Sequence, residues 1–180
     1  MNSATRIAAL VTSPPLVAGL SDMLVETVAN GGSVSFMHPL AREVAAKFWE
    51  ESLARAESGG RVVLGAFQGD EVIGTVTLDL ATPPNQPHRA EIAKLMTRVS
   101  HRGRGVARSL MLEAERVAIE RHRTLLVLDT AAEEGAAGFY ERLGYQRVGV
   151  IPAYALKPHG GLTGTIIYFK LIGPAASRPD

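Results

Sequence analysis

Residues 95–107 run Leu95-Met96-Thr97-Arg98-Val99-Ser100-His101-Arg102-Gly103-Arg104-Gly105-Val106-Ala107: an extended segment, a turn with two glycines, and the start of a helix. That helix has the strongest pattern in the chain. Val106, Ala107, Leu110, Met111, Ala114, Val117 and Ala118 form one apolar stripe, with Arg104, Arg108, Glu113, Arg116 and Glu120 largely off it. A helix with a single apolar stripe, fed from a strand by a short turn, has to bury that stripe against a sheet. Its N-terminus presents backbone N–H groups without intrahelical partners and the positive end of the helix dipole. Glycines there remove the Cβ atoms that would hold an anion away, so the turn suits a phosphate or pyrophosphate, and Arg102, Arg104 and Arg108 can add charge-assisted bonds. Judged on its glycines alone, the segment is equally well a tight strand-to-helix turn with exposed arginines. It is neither G-x-G-x-x-G nor a phosphate loop, since no G-K-[ST] follows.

The other elements follow from period and punctuation. Residues 7–11 read as a short strand ended by Ser13-Pro14-Pro15. A helix is expected from Ser21, capped by Ser21 or Asp22, with Met23, Leu24, Thr27 and Val28 inward and a stop at Gly31-Gly32. A second is expected over 40–56, with Val44, Phe48 and Leu53 inward. The period then drops to two. Residues 62–67 and 72–80 flank Gly69-Asp70 as a hairpin, with Val72, Gly74, Val76, Leu78 and Leu80 on one face. A proline-rich link over 82–87 leads to a third strand over 90–99. Residues 125–128 read as a strand buried on both faces and ending at Asp129-Thr130. A short helix over 135–143 stops at Gly144, and strands over 146–151 and 165–171 are joined by a loop. The expected fold is one α/β domain of the α+β type over residues 1–173, a mixed, mostly antiparallel sheet of about seven strands with about four helices. Residues 174–180 are expected to be a disordered tail.

Composition narrows the function. Lys plus Arg number 19 against 18 Asp plus Glu, so no global field points to nucleic acid or a membrane. There is no cysteine, which excludes a disulfide framework, thiolate metal sites and a cysteine acyl-enzyme. The N-terminal stretch, broken by Pro14 and Pro15, reads neither as a signal peptide nor as a membrane span, and a cytoplasmic location is expected. His38, His88, His101, His122 and His159 follow no ligand spacing, so no metal is expected.

Two passages carry a family likeness. Arg102-Gly103-Arg104-Gly105-Val106-Ala107 resembles the R/Q-x-x-G-x-G/A signature of the GNAT acetyltransferase superfamily. Ala136-Ala137-Gly138-Phe139-Tyr140-Glu141-Arg142-Leu143-Gly144-Tyr145 is similar to that family's A-x-x-F-Y-x-x-x-G-[FY] segment. The passages Glu26 to Met37, Arg89 to Met96, Leu128-Asp129-Thr130 and Ile167 to Lys170 further resemble members that acetylate the amino group of a β-lactam toxin. The resemblance implies an N-acetyltransferase with acetyl-CoA as cosubstrate. It implies that the strand carrying Leu95, Met96 and Thr97 splays from its neighbour and pairs with the pantetheine arm. The turn of Arg102, Gly103, Arg104, Gly105, Val106 and Ala107 would then hold the pyrophosphate. Glu133 stands where the family often has a pantetheine-binding Asn, so that role is not carried over.

Amide formation from a thioester needs a base for the ammonium and an acid for the leaving sulfur. The resemblance makes Tyr140 the candidate acid; without it, Tyr140 reads as a packing residue beside Phe139 and Leu143. Glu91 shares a face with Ala93, Leu95 and Thr97 by strand alternation, and is either a group that orients or deprotonates the amine or a partner for Arg89 or Lys94. Asp129 ends a buried strand, where ligands of α/β sheets gather, and is either an ammonium-binding carboxylate or a turn cap. The expected acceptor is a primary amine of a small molecule, a toxin or antibiotic first, attacked directly in a ternary complex. A protein or polyamine acetyltransferase and a non-catalytic acyl-CoA sensor are the alternatives. A nucleic-acid surface on Arg98, Arg102, Arg104 and Arg108 lacks the aromatics that stack bases. The oligomeric state is not readable.

Overall fold

The computed structural model describes residues 5–133 and 137–174. Its elements are β1 (Arg6–Ala9), α1 (Pro14–Ala29), α2 (Arg42–Glu57), β2 (Arg61–Gln68), β3 (Glu71–Asp79), β4 (Arg89–Thr97), a 3-10 turn (Val99–His101), α3 (Val106–Glu120), β5 (Leu125–Ala131), α4 (Ala137–Arg142), β6 (Gln146–Leu156) and β7 (Leu162–Leu171). The seven strands form one sheet in the order β1-β2-β3-β4-β5-β7-β6, antiparallel except for β4 beside β5. The expected α+β architecture, with seven strands and four helices, is the one observed.

Each face of the sheet carries its own core. The stripe of α3 (Val106, Leu110, Met111, Ala114, Ala118) packs on Leu64, Val76, Leu78, Ile92, Leu126 and Leu128. On the other face α1 and α2 bring Leu20, Met23, Leu24, Trp49 and Leu53 against Val63, Val72 and Met96. On the α3 side Lys170 of β7 joins the sheet to α3 and to the end of α4, its Nζ 2.7 Å from Glu115 and 2.7 Å from the Leu143 carbonyl.

Several boundaries differ from the sequence reading, each for a physical reason. Pro14 and Pro15 begin α1 instead of ending a strand, because the first helical turn leaves its N–H groups unbonded and suits the fixed proline φ. Ser21 therefore sits inside the helix, donating to the Val17 carbonyl at 2.6 Å rather than capping. Val44 is 52% exposed, while Ala45, Trp49, Ser52 and Leu53 face inward. A register shift in the β2–β3 hairpin turns Val72 to the α1 face, away from Val76 and Leu78. In β5, Leu126 and Leu128 are buried but Asp129 is exposed, so the strand is not covered on both faces. Strands β6 and β7 extend far into the expected loop. Pro152 lies within β6, which is tolerated because β6 is an edge strand with a free side. The start of the expected helix over 135–143 falls on residues outside the described set, as does the expected tail from 175 on. No described helix is long and apolar enough to cross a membrane.

Candidate active site

The site begins where two parallel strands part. β4 and β5 pair only over Arg89 with Leu125, Ala90 with Leu126 and Glu91 with Val127. Beyond that point β4 stays with β3 as far as Thr97, and β5 stays with β7 as far as Ala131. A cavity of about 610 Å³ opens in the gap. Its walls are residues 92–97 of β4, 129–131 of β5, the loop 32–37, the β6–β7 arm (154–156, 163–165), and Phe139 and Tyr140 of α4.

A bulge in β4 shapes this wall. Thr77 faces Ala93 and Thr75 faces Met96, so β4 carries one more residue than β3 across the same span. Lys94 takes up the excess at φ +52°. The bulge reverses the faces of the strand. Ile92 belongs to the α3 core, Met96 to the α1–α2 core, and Leu95 packs on the α3 side again. Glu91 and Leu95 therefore do not share a face, contrary to simple alternation.

The glycine turn is open. Gly103 and Gly105 sit at φ +72° and +81°, and a Cβ built on either meets nothing within 4 Å. Gly105 is the N-cap residue of α3, with Ser109 N–H bonding its carbonyl at 3.0 Å. The amides of Val106, Ala107 and Arg108 thus lie in the first turn, where a helix has no internal acceptors for them. Arg102 and Ala107 line the cavity. Val106 is only 4% exposed and its side chain is a core residue, so only its backbone can meet a ligand. Arg102, Arg104 and Arg108 are exposed and, among the described residues, make no ion pair. His101 fixes the preceding 3-10 turn, its ring nitrogens 2.9 Å from Ser100 Oγ and 2.8 Å from Gln68 Oε1.

Of the three expected catalytic residues, the structure brings two together. Tyr140 is 8% exposed, and its ring lies 6.0 Å from Tyr145 and 5.8 Å from Tyr168, centroid to centroid. Burial first, then the charge of Asp129 and the neighbouring Tyr168, pushes its hydroxyl up to about 12. Asp129 lines the same cavity and accepts a hydrogen bond from Thr165 Oγ1 at 2.8 Å. Glu91 does not line the cavity. It lies at the last β4–β5 pair, before the strands part, with a half-exposed carboxylate 3.5 Å from Arg89.

Sequence reading passed over Lys94 except as a neighbour of Glu91. Its Nζ donates to Ser35 Oγ at 3.1 Å and lies 5.7 Å from the centre of the Phe48 ring. Burial lowers it below the ordinary lysine range, against the opposing pull of Asp129. Only the bulge turns it inward, and no local pattern announces a bulge. Thr97 also lines the cavity, and its buried Oγ1 has no hydrogen-bond partner among the described residues. No cluster of metal-ligating side chains occurs among the described residues.

This geometry agrees with what comparison finds. Residues 26–145 match the profile of the Acetyltransferase (GNAT) family. The rat (Rattus norvegicus) protein N-acetyltransferase 8B is 31% identical over 86 residues, 47% of this chain and 39% of that protein. The match thus spans well under half of that relative's length. An N-acetyltransferase structure from Staphylococcus aureus Mu50 superposes with a TM-score of 0.80 at 15% identity, over 95% of this chain and 100% of that one. An aminoglycoside 6'-N-acetyltransferase complexed with coenzyme A gives 0.74 at 22% identity, over 97% and 99%.

Proposed function

Because the chain belongs to the GNAT acetyltransferase family, we propose that it transfers the acetyl group of acetyl-CoA to the primary amine of a small molecule, by direct attack in a ternary complex. The observation that carries this reading is the parting of β4 from β5, with Asp129 and Tyr140 both lining the cavity it opens.

The residues fit the cosubstrate. Backbone groups of 92–97 on the β5 side of β4 are free to pair with an amide-bearing arm as an added strand would. The orphaned Thr97 hydroxyl lies beside that edge. The open turn at Gly103 and Gly105, with the first amides of α3 and the Arg102, Arg104 and Arg108 side chains, suits a pyrophosphate. When bound, acetyl-CoA supplies an acetyl group activated as a thioester.

Within that frame Asp129, held by Thr165, binds the ammonium of the acceptor. The amine loses a proton to solvent through water and attacks the carbonyl carbon; the N–C bond forms and the C–S bond breaks. Tyr140, kept protonated by burial, delivers its proton to the departing sulfur and regains one from the new amide nitrogen. One proton is released overall. Glu91 takes no part in proton transfer in this reading. A cavity of about 610 Å³ has room for a small acceptor, and amines of toxins and antibiotics head the compounds to try. Thiol release from acetyl-CoA across amines, polyamines and peptides tests it; activity confined to peptides would replace the small-molecule reading with a protein acetyltransferase.

A further inference from the structure

We propose that the acceptor carries a carboxylate as well as its amine, and that Lys94 binds that carboxylate while Asp129 binds the ammonium; this rests on the acetyl-transfer reading above. Among the described residues that line the cavity, three are charged: Lys94, Asp129 and Arg102. Arg102 belongs to the glycine turn at the cosubstrate end. Lys94 and Asp129 therefore set the charge pattern that an acceptor meets.

Lys94 is aimed there at a cost. It is a non-glycine residue at φ +52°, in the left-handed region that an L side chain disfavours. A glycine or asparagine would relieve the strain, and neither would put a cation in the cavity. Bulges of this kind redirect one side chain beside functional sites. The ammonium gives one hydrogen to Ser35, and two of its three donors remain for a ligand.

Lys94 also lacks a counterion. No carboxylate lies within 4 Å of Nζ among the described residues, and its nearest acidic influences, Asp129 and Glu91, act only across space. Its lowered affinity for protons has burial as the leading cause, as expected for an ammonium taken from water without a partner. A ligand carboxylate would supply that partner. Lys94 and Asp129 both line the cavity and form no ion pair with each other, so each can meet one end of a zwitterion. The same cation repels polyamines and other acceptors that carry only positive charge.

The test uses matched pairs, each an amino acid and the amine left when its carboxylate is removed, with thiol release as the readout. The acid of each active pair is expected to have a kcat/KM about ten-fold or more above its amine, the scale of one charge-assisted hydrogen bond. Lys94→Gln, which keeps a donor for Ser35, is expected to shrink that preference about ten-fold, mainly through the KM of the acid. Lys94→Arg is expected to retain it, which separates charge from mere packing. The proposal is overturned if decarboxylated amines match or exceed their acids, or if Lys94→Gln lowers both members equally. If no amine releases thiol although acetyl-CoA binds, acetyl transfer itself is wrong and the proposal falls with it.

Discussion

Thr165 on β7 donates its hydroxyl to the Asp129 carboxylate on the neighbouring β5 at 2.8 Å, and so holds one carboxylate oxygen in place at the wall of the cavity. The bond leaves the other oxygen for a ligand. Asp129→Asn, which keeps the shape and loses the charge, is expected to lower kcat/KM for the amine roughly ten- to hundred-fold. Thr165→Val is expected to raise the KM of the amine several-fold, about 1 kcal/mol, with binding of acetyl-CoA unaltered. Steady-state kinetics with each substrate varied in turn checks both. Wild-type values for Asp129→Asn would remove Asp129 from the acceptor site.

Tyr140→Phe is expected to reduce kcat roughly hundred-fold while the KM for acetyl-CoA stays near wild type, because it deletes a proton donor and no binding contact. The pH dependence follows from burial. With the hydroxyl pushed up to about 12, kcat has no descending limb from Tyr140 below about pH 11. A fall in kcat centred near pH 9, abolished in the variant, would contradict this environment.

Alkaline stability has a definite sign. The folded value of Tyr140 lies above its unfolded value near 10, so the unfolded chain releases the proton first as pH rises. The contribution is complete below about pH 10 and is lost as pH passes through about 12, on the order of 2 kcal/mol. Buried Tyr145 shifts in the same direction. Urea melts at pH 9 and 11 should show wild type losing more stability than Tyr140→Phe; equal losses would refute it.

Gly105→Glu places a carboxylate in the turn where an anion is to sit, at a φ of +81° that also strains any L residue. The expected outcome is a KM for acetyl-CoA at least about ten-fold higher, with a much smaller change in kcat at saturation. Gly74→Ala is a contrasting case, a steric clash in the core beneath the start of α3. Its Cβ would lie 2.8 Å from Val106 Cγ1 and 3.1 Å from the Met96 carbonyl oxygen, so α3 would have to shift off the sheet. A loss of roughly 1–3 kcal/mol is expected in thermal or denaturant melts.

What was legible in the sequence was local. The stripe from Val106 to Ala118, the turn at Gly103 and Gly105 and the hairpin at Gly69-Asp70 are all set by short-range periodicity and backbone freedom. A motif marks Tyr140 and a strand end marks Asp129, and both line the cavity. The rest depends on partners distant in sequence. The bulge at Lys94 exists only against the register of β3, so alternation puts Glu91 on the wrong face and shows Lys94 only as its neighbour. The length of β6 depends on β7, and Pro152 hid it because a proline reads as a break until its strand is known to be an edge.

The most direct measurement is mass analysis of a mixture of the enzyme, acetyl-CoA and the best acceptor amine, with free thiol followed in parallel. The expected result is one acetylated amine for each thiol released, with no acetylated enzyme accumulating. Saturable binding of acetyl-CoA without acetylated product for any amine would contradict the account, and would leave a protein that binds the thioester and does not use it.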